Sequence, residues 1–181
     1  MAVIDSPGTP LGQLAPNFLL PDTDGIEHRL YSLENAKAVV VYFTCNHCPY
    51  AVAWQKRLLD VASDYADRGV KVFAISSNDA EKYPADSFQR MRQRVEDEGW
   101  THPYLYDESQ EVARAFDAKT TPDIFLLDSE FKFCYRGAAD SDYEDPQQNA
   151  AWLRNAIDAV LAGQEPQPAE TSPVGCSIKW R

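Results

Sequence analysis

The chain has 181 residues, enough for one well-buried core and too few for two ordinary domains. Its 28 acidic and 17 basic residues give a formal net charge of −11. Such a surface repels phosphate backbones and anionic bilayers, so neither nucleic acid nor a membrane is an expected partner. No segment approaches the roughly 20 apolar residues of a membrane span. The opening MAVIDSPGTPLGQLAPNF lacks the basic and apolar regions of a secretory signal, so a cytoplasmic setting is expected.

In chain order, the apolar stretches 17–20 and 28–33 flank Pro21-Asp22-Thr23-Asp24-Gly25, and Asp-Gly between apolar runs predicts an N-terminal β-hairpin over 12–33. AVVVYF (38–43) reads as a strand buried on both faces. Pro49 then opens a helix whose apolar positions Leu58, Val61, Ala62 and Tyr65 follow helical spacing. VKVFAIS (70–76) is a second buried strand. Phe88, Met91 and Val95 mark a second helix with Pro84 near its start, a short strand follows at 103–106, and a brief helix spans 109–116. Residues 123–127 and 131–135 predict a hairpin, and Leu153, Ile157, Val160 and Leu161 face a last helix. Strands alternating with helices imply a mostly parallel sheet between helical layers in a domain over 1–163. Residues 164–181, rich in proline and polar side chains, predict an extended and flexible tail.

Four cysteines are too few for a disulfide scaffold. Two of them lie in TCNHCPY (44–50), between a buried strand and the first turn of a helix. There the unpaired N–H groups and the helix dipole stabilise a thiolate. This predicts Cys45 as the exposed attacking thiol and Cys48 as its buried resolving partner, closing a small disulfide ring. His47 between them would favour the Cys45 thiolate and make the couple more oxidising. A zinc site needs four ligands, so Cys134 or Cys176 would have to converge on the pair, and no metal is expected. Cys134, in an alternating strand, reads as core filler. Cys176 stands near the end of the tail, which either folds back to exchange with Cys45 and Cys48 or leaves a thiol outside the chemistry.

The strand AVVVYF, then TCNHC and a helix, then Thr120-Thr121-Pro122 opening a late hairpin, resemble the thioredoxin superfamily. GQLAPNFLLPDTDG and the ending GCSIKW are similar to its peroxiredoxin-like branch, related to the alkyl hydroperoxide reductase/thiol-specific antioxidant group. The resemblance covers roughly 12–162. It implies an α/β thioredoxin fold, a central mixed sheet flanked by helices, carrying the hairpin extension, an inserted helix and strand between Pro84 and Phe116, and the tail. It makes Cys45 the nucleophile, Cys48 the resolving cysteine, Pro122 a cis-proline facing them and Thr121 the residue whose backbone pairs with substrate. Asn46 and His47 would tune the potential. The implied activity is thiol–disulfide exchange with a thiol- or disulfide-bearing protein or small molecule, with no cofactor, in a monomer or weak homodimer.

The pattern departs from the superfamily in two places. Val39 and Ala51 stand where thioredoxins or related membrane-anchored reductases carry a proton-accepting carboxylate. The peroxidatic P-x-x-x-T-x-x-C is absent: Cys45 and Val41 precede Cys48 where threonine and proline belong, and Tyr42 stands three before Cys45. Thr44 and Arg136 could approach the site, although Arg136 reads more simply as a solvated strand residue. Peroxide reduction and a non-catalytic redox-sensing module remain the alternatives.

Overall fold

The structure is a computed structural model that describes residues 2–3 and 10–181. Part of the stretch read above as lacking a secretory signal therefore lies outside the described residues. The frame is a five-stranded mixed sheet of β4 (Ala38–Thr44), β5 (Val70–Ser76), β6 (Tyr104–Tyr106), β8 (Asp123–Asp128) and β9 (Phe133–Gly137), in the order β6-β5-β4-β8-β9. The β4–β5 and β5–β6 pairs are parallel; β4–β8 and β8–β9 are antiparallel. Every residue of β4 is buried, as its unbroken apolar run requires.

Alternation along β4 divides the core in two. Val40 and Tyr42 face Trp54, Leu58 and Val61 of helix α1 (Pro49–Tyr65) and Leu153 and Ile157 of α4 (Ala151–Leu161), with Met91 of α2 (Phe88–Glu98) at the edge. Val39, Val41 and Phe43 face the other way, against Phe18, Leu20 and Leu30 of the N-terminal hairpin and Ala113 of α3 (Glu111–Ala115). Each fully buried Leu, Val or Phe contributes roughly 1.5–3 kcal/mol, so the two half-cores hold the sheet as a rigid base.

The hairpin is β2 (Leu19–Pro21) against β3 (Glu27–Arg29), shorter than the apolar stretches suggest. Its turn is held by Asp22, whose carboxylate accepts N–H bonds from Asp24 and Ile26. Pro84 does not begin α2. It opens a separate 3-10 turn, Pro84–Asp86, and α2 starts after Ser87, whose side chain accepts the Arg90 N–H. The β8–β9 hairpin turns later than its sequence suggests, because Phe131 takes a positive φ and closes a turn onto the Asp128 carbonyl.

The tail departs most from expectation. Val174–Ser177 is a strand, β10, lying between β1 (Ala2–Val3) and β7 (Thr120–Thr121) in a second, three-stranded sheet. Upstream, Ala169–Thr171 is clamped to β9: Arg136 N–H donates to Ala169 O and Thr171 N–H to Arg136 O. Gly137 makes this possible, since a Cβ there would lie 1.9 Å from Thr171 Oγ1. Downstream, Ile178 is buried in the hairpin-side core, and Trp180 packs beside it under the Arg114 guanidinium, 4.4 Å from the ring centre. The tail is extended and fastened along its length.

Candidate active site

β4 and β5 are parallel neighbours, with Thr44 opposite Ser76, so the loops leaving their C-terminal ends meet. One loop carries Cys45, Asn46 and His47; the other runs through Asn78 to Asp86. Asp86 is fully buried and ties the two together. Its carboxylate accepts the Asn46 N–H at 2.7 Å and the Asn78 side-chain amide at 2.9 Å, and contacts His47 Nδ1 at 2.6 Å. The His47 ring stacks on Tyr83. Asn46 is held from every side: its amide donates to Ala85 O, and its carbonyl accepts Tyr104 O–H at 2.9 Å and Arg94 at 3.5 Å. Arg94 also donates to Cys45 O at 2.7 Å. These bonds fix the loop on which the cysteines sit.

Cys48 is the N-cap of α1 and Pro49 its first residue, where a missing N–H costs nothing. All four cysteines are free thiols. Cys45 and Cys48 are both fully buried, which corrects the expectation of an exposed Cys45. Cys45 Sγ accepts the Cys48 N–H at 3.3 Å and lies 3.4 Å from Thr121 Oγ1; Cys48 Sγ donates to Thr121 O at 3.1 Å. The two side chains also act on each other's titration, and that mutual interaction is the largest influence on each. It lowers Cys48, to about 4, and raises Cys45, which burial and the neighbouring Asp86 carboxylate raise further. The titration therefore belongs to the pair and not to either cysteine alone. The sequence makes Cys45 the thiolate, and the Asp86 carboxylate opposes a negative charge there.

Thr121 ends β7, and the Thr121–Pro122 bond is cis, as the resemblance implies. The backbone of Thr121 is already engaged. β10 pairs with β7 antiparallel, Cys176 opposite Thr121 and Ser177 opposite Thr120. Cys176 is half-buried, packs against the Cys45–Cys48–Ala51 cluster and hydrogen-bonds Cys48. Thr44 is buried at the end of β4, where the loop departs.

Arg136 is not a solvated residue. It is buried beside Asp123, with Nε donating at 3.1 Å and Nη2 at 2.7 Å to the carboxylate, and Nη2 also reaches Asp117 O. Its guanidinium is committed to this structural pair. Cys134 is half-buried on β9, apart from the thiol cluster, and burial pushes its thiol up to about 12. Cys45 Sγ, a His47 ring nitrogen and an Asp86 oxygen lie within 4.8 Å of one another. Three donors are one short of a closed zinc tetrahedron, and His47 and Asp86 already satisfy each other.

Sequence reasoning missed Asp86, Asn78, Tyr83 and Arg94. The signal that could have found Asp86 is topological: a carboxylate in the loop after the strand next to the cysteine-bearing one falls at the same sheet edge.

Comparison with known proteins points to the same fold. The sequence model of the AhpC/TSA family matches residues 11–135. The thiol-disulfide oxidoreductase ResA of Geobacillus kaustophilus is 29% identical over 121 residues, 65% of this chain and 63% of that protein. The chain thus spans just under two thirds of the length of the curated relatives it matches. A crystal structure of an uncharacterized conserved protein from Geobacillus kaustophilus superposes with a TM-score of 0.93 at 41% identity, covering 100% of this chain and 97% of that one. The solution structure of a putative thioredoxin from Neisseria meningitidis shares the fold, with a TM-score of 0.66 at 24% identity over 82% of this chain and 89% of that one. The fold is thioredoxin-like, and the chain belongs to the AhpC/TSA family.

Proposed function

We propose that this protein is a thiol–disulfide oxidoreductase whose electrons pass through the Cys45–Cys48 pair. The observation that carries the reading is the pair itself: two free thiols with two residues between them, leading into α1 and facing Thr121 beside a cis-proline. Deprotonation of Cys45 supplies the attacking thiolate, while Cys48 keeps the proton it donates to Thr121 O. Attack by Cys45 on a substrate disulfide expels one thiolate and leaves a mixed disulfide. Cys48 then gives up its proton and attacks Cys45 Sγ, forming the Cys45–Cys48 bond and expelling the second thiolate. The substrate is a protein or small-molecule disulfide. A reducing compartment such as the cytoplasm would keep the resting pair in its thiol form.

Asn46 acts as a positioning residue, because its four hydrogen bonds hold the loop. His47 acts on the pair together with Asp86. Peroxide reduction has less support, since the guanidinium of Arg136 is taken by Asp123.

Turnover tests the reading. The protein should reduce insulin at substoichiometric amounts when a dithiol recycles it, and Cys48→Ser should retain glutathione as a mixed disulfide on Cys45 after exposure to oxidised glutathione. A single stoichiometric reaction without turnover would instead indicate a redox-sensing module. Absence of both exchange and trapping would sink the proposal.

A further inference from the structure

We infer that Cys176 is a third redox-active thiol, which takes the disulfide over from the buried Cys45–Cys48 pair and passes it to a low-molecular-weight thiol. The inference rests on the Cys45–Cys48 exchange proposed above and adds a route into it.

Access is the first observation. Cys45 and Cys48 are fully buried and Cys176 is half-buried, so of the three clustered thiols Cys176 is the one solvent reaches. Reach is the second. Cys176 stands opposite Thr121 across an antiparallel pair, where facing backbones lie about 4.5–5.5 Å apart, and the Thr121 carbonyl is 3.1 Å from Cys48 Sγ. The thiol itself packs against Cys48. Fixation is the third. Gly175 lies so close to β7 that a Cβ would fall 2.3 Å from Thr121 O. Beyond it, Lys179 N–H donates to Asn78 Oδ1, while Lys179 O accepts from the Asp79 N–H and the Gln110 amide. The strand holds Cys176 in place.

The chosen partner follows from the edges of β10. β10 is paired with β1 through Val174 and Gly175 and with β7 through Cys176 and Ser177, so the edge facing Thr121 is closed to an added peptide strand. A small thiol needs no such edge.

The steps balance. In the oxidised protein the Cys176 thiolate attacks Cys48 Sγ; the Cys45–Cys48 bond breaks, Cys45 leaves as thiolate, and it takes up the proton Cys176 lost. An external thiolate attacks the reachable sulfur, Cys176 Sγ, and Cys48 leaves as thiolate. A second external thiolate attacks the bound thiol's sulfur, releasing the external disulfide and restoring Cys176. Two external thiols are oxidised, and one protein disulfide is reduced. Oxidation also readies Cys176. Burial first, then the hydrogen bond and charge of Cys48, push its thiol up to about 11, and the Cys48 contributions vanish once Cys48 is in a disulfide.

The test uses the full chain and glutathione as the probe. After oxidation, non-reducing peptide mapping of Cys45→Ser should show a Cys48–Cys176 disulfide. Reduction of the oxidised protein by glutathione should be about tenfold or more slower in Cys176→Ser, which leaves β10 against Thr121 and removes only the reachable thiol. Cys48 and Cys176 both remaining free in Cys45→Ser, or an unchanged reduction rate in Cys176→Ser, would overturn the inference while a Cys45–Cys48 disulfide still forms. If that disulfide fails to form in the unaltered protein, the exchange reading itself fails.

Discussion

Asp86 reaches the pair from the neighbouring loop, forty residues along the chain from the Asn46 N–H it accepts. Its charge raises Cys45, so it stabilises the protonated thiol and, through it, disfavours the thiolate form of the reduced pair. Asp86→Asn keeps the hydrogen-bond acceptor and removes the charge. Easing Cys45 deprotonation stabilises the reduced pair, so the couple should become more oxidising, by about 30 mV for each unit the thiol falls. Equilibration against glutathione measures this, and a potential that drops or does not move contradicts the assignment. At this scale the cysteines were legible because their spacing and place after a buried strand are local in sequence. Asp86 was not, because its role comes from two parallel strands aligning their ends. Val39 and Ala51 do say that a carboxylate is missing, but not where another stands.

The elements divide in the same way. β4 is a continuous apolar run, β5 is one apart from Lys71, and α1 has an apolar stripe at helical spacing, so each announces itself. β10 does not, because Val-Gly-Cys-Ser has no alternation and becomes a strand only through its partners β1 and β7. The proline-rich stretch before it suggests freedom, whereas Gly137 and Gly175 let the chain press against β9 and β7. This strand occupies the Thr121 backbone, so a bulky substrate reaches Cys45 only after β10 lifts. Removing residues 174–181 should therefore speed alkylation of Cys45 and Cys48 by iodoacetamide by about tenfold or more, followed by peptide mass mapping. Unchanged protection would mean that the loop and Thr121 bury the pair without the strand.

Across the whole molecule, stability rests on buried polar pairs as well as on the two half-cores. Arg136 and Asp123 are buried together, and breaking the pair strands a charge. Arg136→Met should cost about 3–5 kcal/mol by urea unfolding, with much of the loss recovered when Asp123→Leu is added. His102 sets an acid limit. Its Nε2 lies 2.7 Å from the Tyr42 hydroxyl, to which Gln55 also donates. Burial lowers His102 from 6.5 to about 4. Between those values the unfolded chain binds more protons, so stability falls as pH is lowered from 6.5 towards 4, by on the order of 3 kcal/mol. His102→Gln should flatten that slope in unfolding curves at pH 7 and pH 4.5. The overall architecture was readable from strand and helix periodicity, but which polar residues are buried was not. Arg136 shows why: a guanidinium on an alternating strand is solvated by default, and only the Asp123 carboxylate facing it across β8 and β9 reverses that.

The central claim is that Cys45 and Cys48 form a reversible two-electron couple. A redox titration of the intact protein against defined ratios of reduced and oxidised glutathione, read by alkylation and peptide mass mapping, tests it most directly. The account predicts a single transition in which the peptide carrying Cys45 and Cys48 loses two hydrogens and regains them on reduction. Two thiols that stay alkylatable at every ratio, or a disulfide that never includes Cys48, would contradict it.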